Sequence, residues 1–177
     1  AAAGTEPTAT ILNGIRDPEH FGKANGLGDI EALAIVQIGN RVWQDADADG
    51  VQDAAEGGIA NVTVLVYNAA GFQVASLTTD SNGLGSYPVD PGDAYTIYYD
   101  TSTVTAGDVG GNDPAALTLA PKNAGDSTND TDGDAAGTGG TAPAAADFEI
   151  SLTAGSNDEN DPTLDLGLKF NPDLGIV

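Results

Sequence analysis

The sequence has no cysteine and no methionine, and its five lysine and arginine residues stand against 27 aspartate and glutamate residues. Without cysteine the chain can form no disulfide, no thiolate metal site and no cysteine nucleophile. No run approaches the roughly 18 to 20 consecutive apolar residues that a membrane-spanning helix needs. The absences therefore exclude cysteine chemistry and predict no membrane span.

The shortage of basic residues gives the 177-residue chain a formal net charge of −22. Nucleic acids and anionic membranes are bound through lysine and arginine, so neither is an expected partner. Most of the acidic residues are aspartate, whose short side chain favours turns and oxygen-ligand loops over helices. The acidic residues are therefore expected in loops, where they are available to bind a cation.

The opening residues Ala1–Gly4 are typical of a mature end left by a signal peptidase, and they predict an exported, extracellular protein. The alternative is a halophile cytosol, which also favours acidic, lysine-poor surfaces. Cysteine content does not separate the two compartments.

Short segments with period-two alternation predict β-strands joined by tight turns. The intervals 68–71 and 80–83 have the composition of hairpin turns. Because no long amphipathic helix separates the strands, we predict an all-β fold, an Ig-like (Greek-key) antiparallel β-sandwich of about seven to nine short strands. Strands are predicted at 35–44, 61–67, 72–79, 95–99, 117–119, 148–152 and 164–170, and the last two show the clearest alternation.

Three regions follow from this pattern: an N-terminal arm at 1–35, a sandwich at 36–170 and a C-terminal tail at 171–177. The stretch 121–146 lacks strand periodicity, and a connection of that length is uncommon unless it is functional or disordered. We therefore expect specific contacts or bound ions to hold it.

Twelve residues directly after the first predicted strand satisfy every position of the EF-hand calcium-loop pattern. Alternate aspartates converge on one point as the chain curls, and Gly50 permits the sharp turn. The predicted calcium ligands are Asp45, Asp47, Asp49, the carbonyl of Val51, Asp53 and Glu56.

Two carboxylates about 4 to 5 Å apart repel by about 3 to 4 kcal/mol at an effective dielectric constant near 20. Such a loop therefore requires a divalent ion, or it opens. Because it follows a strand instead of a helix, it lacks the helix pair that moves in calcium sensors, and a stabilising site is favoured over a switch. The alternative is a solvated acidic turn.

Two further acidic segments offer hard oxygen ligands without a complete loop pattern. The first lies in the long connection and the second in the turn between the last two strands, where it could complete a site with the first. Solvated hairpin tips are the alternative. The candidate ligands are Asp126, Asp130, Asp132 and Asp134 in the first, and Asp158 and Asp161 in the second.

In these motifs the chain resembles the B-type repeats of Gram-positive serine-aspartate surface proteins, the SdrD B-like domains, which are relatives of collagen-adhesin B domains. The resemblance covers 36–170 and implies a calcium-rigidified extracellular β-sandwich that acts as a stalk or spacer without catalysis. It rests on the segments 38–43, 45–56, 58–64, 79–83, 91–95, 126–134, 152–155 and 163–168.

Two departures from the family pattern affect the expectations. Leu84 and Gly85 are extra residues before the next aromatic strand, which leaves its register open. Collagen-adhesin relatives with a Lys–Asn isopeptide bond supply the lysine from the first strand, where this chain carries Arg41. We therefore expect no such crosslink.

The leading functional hypothesis is a non-enzymatic, calcium-stabilised subunit of an extracellular filament or surface layer. Its expected partner is a second copy of itself, reached through the arm, with 9–12 or 30–36 donated as a strand to an open sheet edge. The alternative is an arm folded on its own domain.

The second hypothesis is an adhesion or carbohydrate-binding module with an exposed aromatic platform. Trp43, Tyr95 and Tyr99 are expected in the core, which leaves Tyr98 as the tyrosine expected to be exposed. A hydrolase would need paired carboxylates such as Glu149 and Glu159. No motif supports catalysis, so no enzymatic activity is predicted.

Overall fold

The computed structural model describes residues 36–125, 130–137, 142–156 and 160–170, so the predicted arm and tail lie outside the described residues. Within these residues no helix is long and apolar enough to cross a membrane. The strands are β1 Val36–Gln44, β2 Thr63–Asn68, β3 Gln73–Thr78, β4 Leu84–Val89, β5 Ala94–Asp100, β6 Leu117–Leu119, β7 Asp134–Ala135, β8 Phe148–Thr153 and β9 Leu166–Phe170.

The strands form two sheets, one in the order β4-β1-β9-β6 and the other in the order β3-β2-β5-β8-β7. Neighbouring strands run antiparallel except β1 and β9, which are parallel where Val42 lies opposite Leu166. The predicted all-β, Ig-like sandwich is confirmed, and the nine strands of the described residues fall in the predicted range.

The core lies between the two sheets and is built from every second residue of the strands, because side chains alternate between the faces of a sheet. Trp43 is also fully buried, as predicted, but on the opposite face from Val42, where its ring lies close over Gly167 of β9. The main core residues are Val36, Ile38, Val42, Val64, Val66, Ile97, Tyr99, Ile150, Leu166 and Leu168.

The tyrosines of β5 follow the predicted alternation, with one correction. Tyr95 and Tyr99 are buried in the core as predicted. The prediction that Tyr98 is exposed is wrong, since only 4% of its surface is accessible. Its ring lies outside the core cluster but packs edge-on against Tyr67, with ring centroids 5.3 Å apart and planes at 84°.

The turn after β3 connects the two sheets and is not the predicted hairpin. β3 pairs with β2, whereas β4 pairs with β1 in the other sheet. The Asp80 carboxylate accepts the backbone N–H groups of Asn82 at 2.8 Å and Leu84 at 2.9 Å. Gly83 has φ of 75°, a conformation that favours glycine. A tight turn was correctly predicted, but pairing partners depend on the whole sandwich.

This turn gives a pH-dependent prediction. The backbone hydrogen bonds from Leu84 and Asn82 lower the pKa of Asp80 below its ordinary value of 3.8. The stabilisation is present above the unfolded pKa and is lost as pH falls through the lower folded pKa. Asp80→Asn keeps an acceptor oxygen but cannot ionise, so we expect less loss of stability on acidification below about pH 4.

Denaturant unfolding of wild type and Asp80→Asn across this acid range measures the difference. The matched control is Asp93→Asn, which removes an exposed carboxylate from the turn between β4 and β5. Parallel stability profiles for wild type and Asp80→Asn would contradict the prediction.

Candidate metal centre

Three carboxylates converge directly after the first strand. Asp45, Asp47 and Asp49 each offer an oxygen, and these oxygens lie within 4.8 Å of one another. Asp45 is buried and the other two are exposed. The N–H of Asp45 donates to the carbonyl of Leu168 at 2.8 Å, so the first ligand is fixed to the sheet. The cluster thus extends from a rigid anchor into solvent.

The loop curls around the Asp45 carboxylate. Its Oδ1 accepts the N–H of Ala48 at 2.6 Å, and its Oδ2 accepts the N–H of Gly50 at 2.9 Å. Ala48 and Gly50 have φ of 64° and 83°, which turns the chain back on itself. This curl brings alternate aspartates to one side, as the loop pattern predicts.

The last residue of the loop ties its two ends together. Glu56 Oε1 accepts the N–H of Ala46 at 2.7 Å, and Glu56 Oε2 accepts the N–H of Asp53 at 3.0 Å. The guanidinium of Arg41 donates to the Glu56 carbonyl at 2.8 Å. Asp53 is exposed. Glu56 and Asp53 therefore close the loop but lie outside the three-carboxylate cluster.

The loop packs against the long connection that follows β6. A Cβ atom at Gly50 would overlap the carbonyl oxygen of Pro121 and would lie 2.9 Å from the Ala124 Cβ. Val51 forms an isolated antiparallel bridge with Asp130. The loop and the long connection therefore hold each other in place.

A second group of acidic residues, Asp130, Asp132, Asp161 and Asp165, is called here the inner acidic cluster. Asp130 and Asp165 are buried, with 4% and 1% of their surfaces accessible. Asp132 Oδ2 accepts the N–H of Asp165 at 3.1 Å, and the Asp132 N–H donates to the Asp165 carbonyl at 2.8 Å. These contacts join the long connection to the start of β9.

Within the inner acidic cluster, the surroundings of Asp132 disfavour its ionised form. Burial raises the pKa of Asp132, the charges of Asp130 and Asp161 raise it further, and the backbone hydrogen bond from Asp165 opposes the shift. Burial also raises the pKa of Tyr99, with added contributions from Asp165 and Asp132. Asp130 Oδ1 is buried and makes no hydrogen bond within the described residues. Such an orphaned carboxylate oxygen fits a site for a hard cation.

Contacts of the long connection explain how it is held. The Thr131 hydroxyl accepts the N–H of Gly167 at 3.0 Å and is fully buried. The backbone of Lys122 forms an isolated parallel β-bridge with Thr131. The Lys122 ammonium forms a 2.7 Å ion pair with the Asp134 carboxylate on the surface. Asp134 is therefore engaged by a lysine, and it begins the short strand β7.

Two of the predicted ligands, Asp126 and Asp158, lie outside the described residues. Asp161 lies within them, and its Oδ1 accepts the backbone N–H and the hydroxyl of Thr163 at 3.1 and 2.6 Å. Its N–H donates to the Gln37 carbonyl at 2.8 Å. Asp161 is thus held against β1 while its charge acts on Asp132.

The family model for the SdrD B-like domain matches residues 36–168 of this chain. The chain belongs to the SdrD B-like domain family. The match covers both the calcium-loop segment and the inner acidic cluster.

Three relatives are similar to this chain over shorter stretches. Colossin-C of Dictyostelium discoideum is 40% identical over 87 residues, which cover 46% of this chain and 9% of that protein. Serine-aspartate repeat-containing protein F of Staphylococcus epidermidis is 43% identical over 65 residues, 36% of this chain and 4% of that protein. Bone sialoprotein-binding protein of Staphylococcus aureus is 34% identical over 64 residues, 36% of this chain and 6% of that protein. The chain thus spans under a tenth of the length of each.

Three residues of this SdrD B-like domain were missed as site residues from the sequence. Asp165 alternates with leucines, which predicts a solvent-facing side chain, yet it is buried and its N–H donates to Asp132 Oδ2. Thr131 was not singled out from the sequence, yet its hydroxyl accepts the N–H of Gly167 in β9. Arg41 was noted only because it replaces a lysine, but it donates to the carbonyls of Asn82 at 3.1 Å and Glu56 at 2.8 Å. For Thr131, the sequence signal that could have pointed to a site was the high density of aspartate around it.

The packing of Gly50 in this domain gives a prediction. Gly50→Ala places a side chain at φ of 83° and against the Pro121 carbonyl. We expect the free energy of unfolding to fall by about 1 to 3 kcal/mol, because both the strain and the displaced connection act against the loop. Denaturant unfolding measures the change, with Gly71→Ala as the control, since Gly71 also has positive φ but has open space around it. Equal effects in the two variants would contradict the role of the Pro121 contact.

Proposed function

We propose that this chain is a non-enzymatic, extracellular structural domain that bound Ca²⁺ stiffens into a spacer or filament subunit. The observation that carries the proposal is the convergence of the Asp45, Asp47 and Asp49 oxygens within 4.8 Å. A domain that gathers carboxylates in this way is stabilised by a divalent ion, which opposes their mutual repulsion.

The geometry of the loop fits Ca²⁺. Oxygens that share one Ca²⁺ lie about 2.3 to 2.6 Å from it, so they can be at most about 5 Å apart. The three oxygens of the cluster meet this limit. Asp45, Asp47 and Asp49 would hold the ion, and the Val51 carbonyl is the further ligand that the loop pattern assigns. All are hard oxygen donors, which favour Ca²⁺ over softer metals.

A second ion is proposed in the inner acidic cluster. Its support is the buried Asp130 Oδ1 without a hydrogen bond in the described part of the chain, together with the raised pKa of Asp132. Asp130, Asp132, Asp161 and Asp165 are its candidate ligands, but within the described residues only Asp45, Asp47 and Asp49 have three ligand oxygens already within 4.8 Å of one another. Asp126 and Asp158 remain sequence-based candidates, and Asp134 is paired with Lys122 at the surface.

The mechanical role follows from what the ions would connect. The loop begins at β1, contacts Pro121 through Gly50 and bridges to Asp130 through Val51. The inner acidic cluster connects the same long connection to β9 through Asp165. Two ions would therefore fix one long connection to two strands of the same sheet, which raises the free energy of local opening.

The proposal also includes self-association through the arm and an extracellular location. We propose an extracellular domain that associates with further copies of itself through the arm at 1–35. Since the chain spans under a tenth of its relatives, it can equally be a stalk domain of a longer adhesin-type protein. The aromatic platform of a carbohydrate-binding module has little support, because Trp43 and Tyr98 are both buried.

Calorimetric titration of the chelator-treated protein with CaCl₂ tests the metal proposal. We expect at least one site in wild type, and Asp45→Asn should weaken its affinity by about tenfold or more, because a buried charged ligand is lost. Asp93→Asn on the distant surface turn is the matched control and should bind like wild type. Absence of any heat of Ca²⁺ binding in a folded wild-type protein would refute the calcium proposal.

A further inference from the structure

The outer edge of β3 differs from most of this strongly acidic protein. β3 is the last strand of its sheet, so one side of its backbone has no strand partner in the described residues. The interval 57–79, which contains β2 and β3, has no charged residue in a chain of net charge −22. Natural edge strands are commonly protected by lysine, proline, inward-pointing charge or a β-bulge, and β3 has only the last of these, where its register with β2 shifts between Val66 and Tyr67.

The hydrogen-bonding groups of this edge point outward at alternate residues. The Thr79 N–H donates to the Val62 carbonyl at 3.0 Å. Because backbone groups alternate in direction along an antiparallel strand, the N–H and C=O groups of the neighbouring odd-numbered residues also point toward β2. Ser76 and Thr78 therefore direct their backbone groups away from the sheet. The Val74 carbonyl also points outward, where it accepts the Tyr87 hydroxyl at 3.0 Å. Ser76 and Thr78 thus offer backbone groups suited to an added strand, whereas the Val74 carbonyl is already engaged by Tyr87.

Apolar side chains accompany this open edge. Phe72, just before β3, has 70% of its surface accessible, and Val74 has 40%. They are two of the three exposed large hydrophobic residues of the described chain, and the third, Leu84, begins β4. The β4 edge is less suitable, because Pro88 removes a backbone donor from that strand.

The arm contains one segment that matches this edge. Residues 7–15 form an uncharged run between Glu6 and Arg16, with the apolar patch 9–12 at its centre. An acidic strand would be repelled by the acidic body, whereas this run adds no like charge. The other predicted donor, 30–36, includes Val36, which is fully buried in β1 and therefore already has a place in its own sheet.

The spacer between Ile15 and Val36 allows the segment to reach another molecule. Its 20 residues span about 65 Å when extended, whereas a domain of this size is about 35 to 40 Å wide. Two acidic bodies repel at close range, and a long spacer lets an edge be shared while the bodies remain apart.

We propose that the β3 edge, Gln73–Thr78, receives residues 7–15 of a second copy of this chain as an added strand. This inference rests on the proposed self-association and names the surface and segment that would carry it. Backbone hydrogen bonds to the outward groups of Ser76 and Thr78 supply affinity, and the apolar side chains near Phe72 supply contact area.

The absence of cysteine permits a direct test. Purified Thr10→Cys chains, carrying an affinity tag, are mixed with untagged Ser76→Cys chains in CaCl₂ and oxidised. We expect a disulfide-linked dimer of the two different chains. The matched control replaces Ser76→Cys by Ser86→Cys, an exposed serine on the edge strand of the other sheet. Equal yields with the two partners would overturn the proposed edge.

A second pair of variants tests the edge without crosslinking. Ser76→Lys places a charge on the outer face of the edge, and Ser86→Lys is its control. Both should melt like wild type, since both serines are exposed. Ser76→Lys should abolish sedimenting assemblies, whereas Ser86→Lys should retain them. Assembly of Ser76→Lys at the wild-type level would also overturn the proposed edge.

The outcomes separate this inference from the proposed assembly. If filaments form but Thr10→Cys does not crosslink to Ser76→Cys, the proposed self-assembly is supported and the β3 edge is refuted as its docking surface. A crosslinked pair without filaments would support the edge and refute the filament. A Thr10→Cys, Ser76→Cys double variant that closes only within one chain would show that the arm binds its own domain, and would refute the second copy as donor. Absence of both filaments and crosslinks would refute both.

Discussion

Removal of Ca²⁺ by a chelator is expected to lower the melting temperature of this protein by about 5 to 10 °C for each site held at 100 times its dissociation constant. The reason is ligand linkage: an ion that binds only the folded state stabilises it by about 2.7 kcal/mol at that saturation. The chelated protein also retains the repulsion among Asp45, Asp47 and Asp49, whose oxygens lie within 4.8 Å. Exposure of Asp47 and Asp49 to water reduces this repulsion but does not remove it.

Differential scanning calorimetry with CaCl₂ and with EGTA measures the shift. Asp45→Asn should show a smaller difference between the two conditions than wild type, and Asp93→Asn should show the full difference. MgCl₂ should restore less stability than CaCl₂, because Mg²⁺ requires a smaller, near-octahedral shell. Identical melting with CaCl₂ and EGTA would refute a structural calcium site.

Trp43→Ala is expected to lower the free energy of unfolding by about 3 to 5 kcal/mol, as large-to-small substitutions of buried aromatic residues do. Trp43 is fully buried, and its ring lies so close to Gly167 that a Cβ atom there would approach it at 2.6 Å. It also stands two residues before Asp45, whose N–H is bonded to Leu168. The cavity should therefore weaken both the sheet and the anchor of the metal loop.

Denaturant unfolding followed by circular dichroism measures this loss, and calorimetric titration measures the accompanying loss of Ca²⁺ affinity. Phe72→Ala is the control, since 70% of the Phe72 surface is accessible and its truncation should change stability by less than about 0.5 kcal/mol. A Trp43→Ala variant as stable as Phe72→Ala would contradict the packing of Trp43 against β9.

The candidate site shows where prediction from the sequence succeeded and where it ended. Asp45, Asp47 and Asp49 were predicted as one cluster, because their spacing and Gly50 act locally and need only the curl of one loop. The inner acidic cluster was predicted only in part: the two acidic segments were expected as possible halves of one site, but Asp165 was not among the candidate ligands. Asp132 and Asp165 are 33 residues apart, and their hydrogen bonds exist because the long connection crosses the start of β9.

The strands show the same division between local and distant effects. The alternation in β2, β5 and β8 predicted their buried faces, because a strand's side-chain period of two is a property of the chain itself. Tyr98 was expected to be exposed by the same rule, and it is buried because Tyr67 of the neighbouring strand packs against it. The turn at Asp80 was predicted as a hairpin, yet its flanking strands belong to different sheets.

By itself the sequence determined the all-β class, the family and the first acidic loop, since alternation, turn residues and ligand spacing each act over about a dozen residues or fewer. Tertiary structure alone decided the parallel pairing of β1 with β9, the burial of Asp165 and the open edge at β3. Each of these depends on which distant segments become neighbours, and that is fixed by the packing of two whole sheets around a shared core.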